Sequence, residues 1–79
     1  MPTVLRERGF EVRIYTFDHP PPHVHVAKAG AIVRIDLRTR TATEIVGAIS
    51  DRDLKRAERL VARHAKQLKE GWARIHGND

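Results

Sequence analysis

The chain has 79 residues, enough for one domain with one modest core, and residues 1–79 are predicted to form that single domain. It contains no cysteine, which excludes disulfides and thiolate metal sites. Fifteen Lys and Arg residues against ten Asp and Glu residues give a net charge of +5, which either favours an acidic partner such as nucleic acid or serves solubility.

The start of the chain carries no targeting signal that we can identify. Met1-Pro2-Thr3 is followed by no apolar signal segment, and no stretch is long and apolar enough to span a membrane. We therefore expect a cytoplasmic protein with no membrane contact.

Two strands are predicted before the proline-rich segment. Residues 3–6 form a short strand, and Arg8-Gly9 forms a turn because glycine tolerates a positive φ. Residues 10–17 alternate between apolar and polar, which predicts a second strand. The side chains of that strand expected to face the core are Phe10, Val12, Ile14 and Thr16.

The most unusual segment is residues 18–26, Asp-His-Pro-Pro-Pro-His-Val-His-Val, which holds three of the five histidines. Each proline fixes φ and donates no hydrogen bond, so residues 19–22 are predicted to form a stiff, extended loop. The alternation that follows predicts a strand over residues 23–28, with His23 and His25 on one face and both valines facing the core.

The remaining strands complete an antiparallel sheet. Ala29-Gly30 is typical of a tight hairpin and leads into a strand over residues 31–38, with Val33, Ile35 and Leu37 facing the core. Residues 44–46 form either a short edge strand or a connection. The prediction is a meander of three strands, or four if the N-terminal strand joins.

A long helix is predicted from Ser50, a good N-cap, to Ile75. About 25 helical residues span about 37 Å, and an eight-residue strand spans about 27 Å. One helix end is therefore free to contact a second copy of the chain, which leaves a homo-oligomer open. The fold class is α+β, with the helix packed on one face of the sheet. Its apolar stripe is Leu54, Ala57, Val61, Ala65 (or His64), Leu68, Trp72 and Ile75.

The opposite face of the sheet is the predicted functional surface, because strand parity places basic, aromatic and imidazole side chains there together. This face carries Arg13, Tyr15, Phe17, His23, His25, Arg34, Asp36 and Arg38.

A metal site is the first of three functions that fit this face. His23 and His25, two residues apart on one strand, can both reach one ion, and His19 or Asp18 can supply a third ligand across the loop. Zinc or another divalent metal that imidazole binds well would suit these donors. Asp36 is the candidate carboxylate behind the ligands.

Acid–base chemistry on a phosphodiester is the second function. His23 and His25 would act as base and acid, and Arg13 or Arg34 would stabilise the developing phosphate charge. Such a protein would be an RNA-cleaving enzyme, dependent on histidine alone or on a metal.

Binding without chemistry is the third function. Tyr15 and Phe17 could stack on bases or pack on a partner, with Asp36 and Arg38 beside them making polar contacts. A purely structural role stays open for the histidines, which could instead hold loop carbonyls. The helix adds a basic surface that is either solvated or able to bind DNA: Arg52, Lys55, Arg56, Arg59, Arg63, Lys66 and Lys69.

Met1-Pro2-Thr3-Val4, the histidine–proline segment over residues 18–26, and the helix from Asp53 to Trp72 resemble the bacterial domain-of-unknown-function 4160 family. Its histidine motif maps onto His19, His23 and His25. The resemblance implies no established activity. It implies a partner from the domain-of-unknown-function 2442 family, in gene pairs similar to toxin–antitoxin modules.

We therefore expect one component of a toxin–antitoxin-like, two-protein module that binds a partner protein and RNA through the histidine- and arginine-bearing face. An RNA-cleaving enzyme and a DNA-binding regulator that uses the basic helix are the alternatives.

Overall fold

The computed structural model describes residues 3–77. Residues 1, 2, 78 and 79, which the single-domain prediction includes, lie outside the described residues. The elements are β1 (Thr3–Glu7), β2 (Phe10–Arg13), β3 (His23–Lys28), β4 (Ala31–Asp36), β5 (Ala42–Val46), α1 (Asp51–Arg63) and α2 (Ala65–His76).

The five strands form one sheet in the order β1-β2-β3-β4-β5, and every neighbouring pair is antiparallel. This is the predicted meander, and the α+β fold class is confirmed. Five strands form rather than three or four, because the N-terminal strand pairs with β2 and residues 42–46 pair with β4. These two strands are the edges of the sheet.

Two of the hairpins depend on residues with positive φ. Arg8 and Gly9 have φ of 51° and 83°, and Ala29 and Gly30 have φ of 48° and 87°. Two consecutive left-handed residues form the turn whose twist matches that of the flanking strands. These φ values confirm both predicted turns, each of which has glycine at its second position.

The second strand is shorter than predicted and ends at Arg13, which pairs with His25. Continuing the same register would oppose residues 16 and 17 to Pro22 and Pro21, which have no N–H to donate to a strand ladder. The chain turns instead, and the Asp18 N–H lies 3.3 Å from the Tyr15 carbonyl oxygen. Thr16 is therefore exposed rather than in the core.

The core lies between one face of the sheet and the two helices. Strand alternation correctly predicts which side chains of the sheet are buried in the core, apart from Thr16. From the helices, Leu60 is also buried in the core, although the predicted apolar stripe omits it. Ile75 belongs to that stripe but is 38% exposed. The buried cluster contains Phe10, Val12, Ile14, Val24, Val26, Val33, Ile35, Leu37, Ala57, Leu60, Val61, Leu68 and Trp72.

Two helical segments replace the single long helix. Ser50 caps α1 as predicted, since its Oγ accepts a hydrogen bond from the Asp53 N–H at 3.1 Å. The interruption falls at His64, whose φ of −108° and ψ of 17° depart from helical values. Its Nε2 lies 3.2 Å from the Glu7 carboxylate, so a contact with β1 holds the residue where the helix is interrupted. Among residues 3–77, no helix combines the length and apolar character needed to cross a membrane.

Candidate functional site

The loop between β2 and β3 folds over the first residues of β3 and brings Asp18 to the histidines. The loop contains a cis peptide bond between Pro20 and Pro21, and the Pro22 carbonyl accepts a hydrogen bond from the Leu37 N–H at 3.0 Å. Because prolines restrict the chain and the hydrogen bond from Leu37, directly after β4, anchors one end, Asp18 is held beside the strand rather than on a free loop.

His23 is buried, with 3% of its side chain exposed. Its Nδ1 lies 2.9 Å from the Pro21 carbonyl oxygen, and its ring centroid lies 5.2 Å from those of both His25 and Trp72. The prediction that this imidazole projects freely from the sheet is therefore wrong. The loop carbonyl, the second histidine and a helix side chain all contact it, which strand parity alone does not reveal.

His25 is more accessible, with 20% of its side chain exposed. Tyr15 packs against it edge to face, at 5.0 Å between ring centroids. Burial lowers the pKa of His25, while the nearby Asp18 carboxylate opposes that shift and His23 and Arg34 add to it. The ring is therefore neutral at neutral pH, as a proton acceptor or a metal ligand must be.

Asp18, His23 and His25 form a cluster in which one ligand atom from each residue lies within 4.8 Å of the other two. Among residues 3–77, these are the residues grouped closely enough to hold one metal ion. His19 is exposed and is not in the group. Of the two candidates for a third ligand, the structure therefore places Asp18 at the site.

Arg13 is held by its neighbours on the sheet face. Its Nε donates to Glu11 Oε1 at 2.6 Å, and one terminal nitrogen donates to the Tyr15 hydroxyl at 3.3 Å. The same hydrogen bond from Arg13, with further ones from Thr3 and Arg6, lowers the pKa of Glu11. A guanidinium held in this way is a poor phosphate clamp, so of the two predicted clamp residues Arg34 is the better placed.

Arg34 pairs with His25 across the β3–β4 ladder. Within residues 3–77 its side chain forms no ion pair. It lines a shallow cleft of about 310 Å³ together with His23 and Glu44. Of the three residues of the Asp18–His23–His25 cluster, the cleft is lined by His23.

Asp36 and Arg38 stabilise the turn after β4, which ends two residues earlier than predicted. The Asp36 carboxylate accepts hydrogen bonds from the Arg38 N–H at 2.6 Å and from its guanidinium at 3.1 Å. The guanidinium lowers the pKa of Asp36. His23 Nδ1 bonds to Pro21 and the Asp36 carboxylate bonds to Arg38 and Thr39, so the structure does not bring Asp36 to His23 as an outer-shell partner.

The two aromatic residues of the predicted surface differ in exposure. Phe17 is 91% exposed at the tip of the β2–β3 loop, whereas Tyr15 is partly buried against His25 and Arg13. An apolar ring this exposed, next to Asp18 in sequence, is free to contact a base or a protein partner. Tyr15 instead contacts His25 of the histidine cluster and accepts a hydrogen bond from Arg13.

A second polar site lies between α1 and the β1–β2 turn. The sequence alone did not predict that its residues form one site. It is a cleft of about 190 Å³, with four arginines and one glutamate around an apolar base. Positions 56, 59 and 63 follow helical spacing, so the sequence could have placed them on one side of α1. Only the tertiary structure shows that residues at the β1–β2 turn complete the lining of this cleft. The lining residues are Glu7, Arg8, Phe10, Arg56, Arg59, Leu60 and Arg63.

A family model described as "Domain of unknown function (DUF4160)" matches residues 9–73. The chain belongs to the DUF4160 family. No curated protein and no solved structure matches this DUF4160 domain. The matched residues run from the β1–β2 turn into α2, so they include Asp18, His23 and His25 and three of the four arginines of the second cleft.

Proposed function

We propose that this DUF4160 domain is the RNA-binding member of a cytoplasmic, toxin–antitoxin-like, two-protein module. The observation that carries RNA binding is the arginine cleft defined above, which four arginines line. Arg63 is paired with Glu7 and Arg56 lies 3.9 Å from Asp53, whereas Arg8 and Arg59 make no ion pair within residues 3–77. Phosphate groups are the ligands that best match several arginines on a partly apolar surface. The basic composition, at a sequence pI near 10.5, supports the same choice.

Single-stranded RNA binding is tested by fluorescence anisotropy at several salt concentrations. We expect Arg59→Gln to weaken binding, because Arg59 lines the cleft and makes no ion pair within residues 3–77. Each lost phosphate contact should reduce the slope of log K against log salt by about 0.7. Arg52→Gln removes the same charge from an exposed position of α1 outside the cleft and is the matched control.

Three results would contradict RNA binding at this cleft. The first is affinity that does not depend on salt, and the second is equal weakening by Arg52→Gln and Arg59→Gln. The third is tighter binding of duplex DNA than of RNA, which would favour the regulator that uses the basic helix.

The partner protein is the second half of this proposal, and the β5 edge supports it. Ile45 and Val46 are 44% and 60% exposed on a strand that pairs with β4 on one side only. An exposed apolar edge can accept a strand from another protein. The resemblance described above indicates a partner from the domain-of-unknown-function 2442 family.

Size-exclusion chromatography of this chain with the product of the adjacent gene tests the pairing. We expect a 1:1 complex that Val46→Lys disrupts, since a lysine on an edge strand opposes strand addition. Lys69→Gln, at an exposed position of α2 outside the sheet, should leave the complex intact. Separate elution of the two unmodified proteins would remove the partner from the proposal.

RNA cleavage is a second candidate function, favoured by His25 and Arg34. The neutral His25 imidazole could take a proton from a ribose hydroxyl, and Arg34 is the residue paired with His25 on the neighbouring strand. His23 is too enclosed to exchange protons freely with substrate. Purified protein should then degrade RNA, and His25→Ala should abolish degradation with the fold retained. Intact RNA with and without divalent metal would exclude this function.

A further inference from the structure

Three ligand atoms converge beside the β2–β3 loop. Asp18 Oδ2 lies 3.2 Å from His23 Nε2 and 3.5 Å from His25 Nδ1. The three residues come from one loop and one strand, and that loop is restricted by prolines and hydrogen-bonded to Leu37, directly after β4. The backbone positions of the three residues are therefore restricted, which keeps their side chains close together.

The contact between His23 and Pro21 determines which nitrogen of the ring carries hydrogen. A carbonyl oxygen only accepts hydrogen bonds, so Nδ1, at 2.9 Å from the Pro21 oxygen, must be the donor. In a neutral ring Nε2 then carries a lone pair. That lone pair faces Asp18 Oδ2, which also only accepts when the carboxylate is ionised.

The other two atoms are buried without a partner. Asp18 Oδ2 and His25 Nδ1 have essentially no solvent-accessible surface, and neither has a hydrogen-bond partner of acceptable geometry within residues 3–77. Buried polar atoms are normally satisfied, because an unsatisfied one loses its hydration without replacement. A shared positive charge at the centre of the three atoms would satisfy all of them.

We propose that Asp18 Oδ2, His23 Nε2 and His25 Nδ1 bind one divalent transition metal ion of the zinc class. Two imidazole nitrogens and one carboxylate oxygen form a donor set that suits zinc, cobalt, nickel or iron(II) rather than calcium or magnesium. Metal-to-ligand bonds of about 2.05 Å at tetrahedral angles place neighbouring ligand atoms about 3.3 Å apart. Two of the three observed distances, 3.2 Å and 3.5 Å, lie on either side of that value, and all three atoms lie within 4.8 Å of one another.

The surroundings of His23 match those of a metal ligand. Histidines that bind metals usually donate their second ring N–H to a carbonyl or carboxylate, which orients the ring, and the Pro21 carbonyl has this role here. Three protein ligands leave at least one coordination position for water or substrate. The shallow cleft lined by Arg34 and Glu44 borders His23.

Metal binding is tested on the full chain, freed of any affinity tag, by titrating zinc and cobalt with calorimetry and tryptophan fluorescence. Trp72 is the only tryptophan in the chain, and its ring lies 5.2 Å from that of His23. We expect one ion per chain, a change in Trp72 emission and a higher Tm. The visible spectrum of bound cobalt would report the coordination geometry.

Two variants and one matched control test the ligands. Loss of an outer-shell partner usually weakens metal binding about 10–100-fold, so Asp18→Asn and His25→Ala, which remove ligands, should each weaken zinc binding by at least about 100-fold. Asp18→Asn keeps the shape of the side chain, which guards against misfolding. His19→Ala removes the neighbouring exposed histidine and should leave the affinity unchanged. Affinity that falls only in His19→Ala would overturn the assignment.

Nitrogen-15 NMR of the imidazole rings distinguishes the metal from a competing explanation. Bound zinc should shift Nε2 of His23 and Nδ1 of His25, with Nδ1 of His23 remaining protonated. A His23 imidazolium paired with Asp18 would also satisfy the geometry, and it would show both nitrogens of His23 protonated. That spectrum, together with no saturable binding of zinc, cobalt or nickel by folded protein, would refute the metal site. RNA binding at the arginine cleft is measured separately and does not depend on this result.

Discussion

Gly71→Ala is expected to stabilise the fold even though the residue is buried. Gly71 lies in α2 with no positive φ, and glycine in a helix costs about 1 kcal/mol relative to alanine. A Cβ added there would lie 3.4 Å from Ile14 Cδ1, the flexible end of a side chain. That contact needs little adjustment, so the free energy of unfolding should rise by about 0.5–1 kcal/mol.

Thermal unfolding followed by far-UV circular dichroism measures this effect. A change of 1 kcal/mol shifts the Tm of a domain this size by about 4–8 °C, so we expect a rise of about 2–8 °C. Gly47→Ala is the opposing control, because Gly47 has a φ of +90° and its Cβ would lie 3.1 Å from backbone atoms of Gly30 and Ala31. It should lower the stability by at least about 1 kcal/mol.

A fall in Tm for Gly71→Ala would refute this reasoning. It would mean that Ile14 cannot move by the small distance required, and that the packing between α2 and the sheet is tighter than the distances indicate. Equal changes in both glycine variants would show that backbone conformation does not control the outcome.

Two further predictions concern the helix start and the contact between β1 and α1. Ser50→Ala removes the hydroxyl that caps α1 and should cost about 1 kcal/mol in urea unfolding, with Ser50→Asp retaining most of the stability. The hydrogen bond from His64, assisted by Arg63, lowers the pKa of Glu7 below its ordinary value of 4.5. The ionised Glu7 carboxylate therefore stabilises the fold fully above pH 4.5, and this stabilisation is lost as the pH falls through the lowered pKa of Glu7. Glu7→Gln should reduce the loss of urea stability between pH 6 and pH 3, and an unchanged loss would contradict this.

The structural role that the sequence left open for the histidines is partly realised. His23 does hold a loop carbonyl, that of Pro21, while its other nitrogen faces Asp18. Holding the loop and binding a metal are compatible roles for His23. A histidine ligand binds the metal through one ring nitrogen and donates a hydrogen bond from the other. His19, in the same segment, remains exposed.

Local chemistry in the sequence was enough to predict most of the fold. Period-two alternation predicted β3 with both ends correct and assigned Val24, Val33 and Ile35 to the core, because consecutive strand residues point to opposite faces. Glycine at turn positions and Ser50 before the helix marked element boundaries through their own backbone and hydrogen-bonding preferences.

Only the tertiary structure decided the details that matter for function. The burial of His23 depends on Trp72, nearly fifty residues away, and the interruption at His64 coincides with a contact to Glu7 on the opposite end of the chain. Asp18 joined the histidines because the loop folds back over β3. Periodicity reports which way a side chain leaves its own backbone, whereas a site is defined by which distant side chains it meets there.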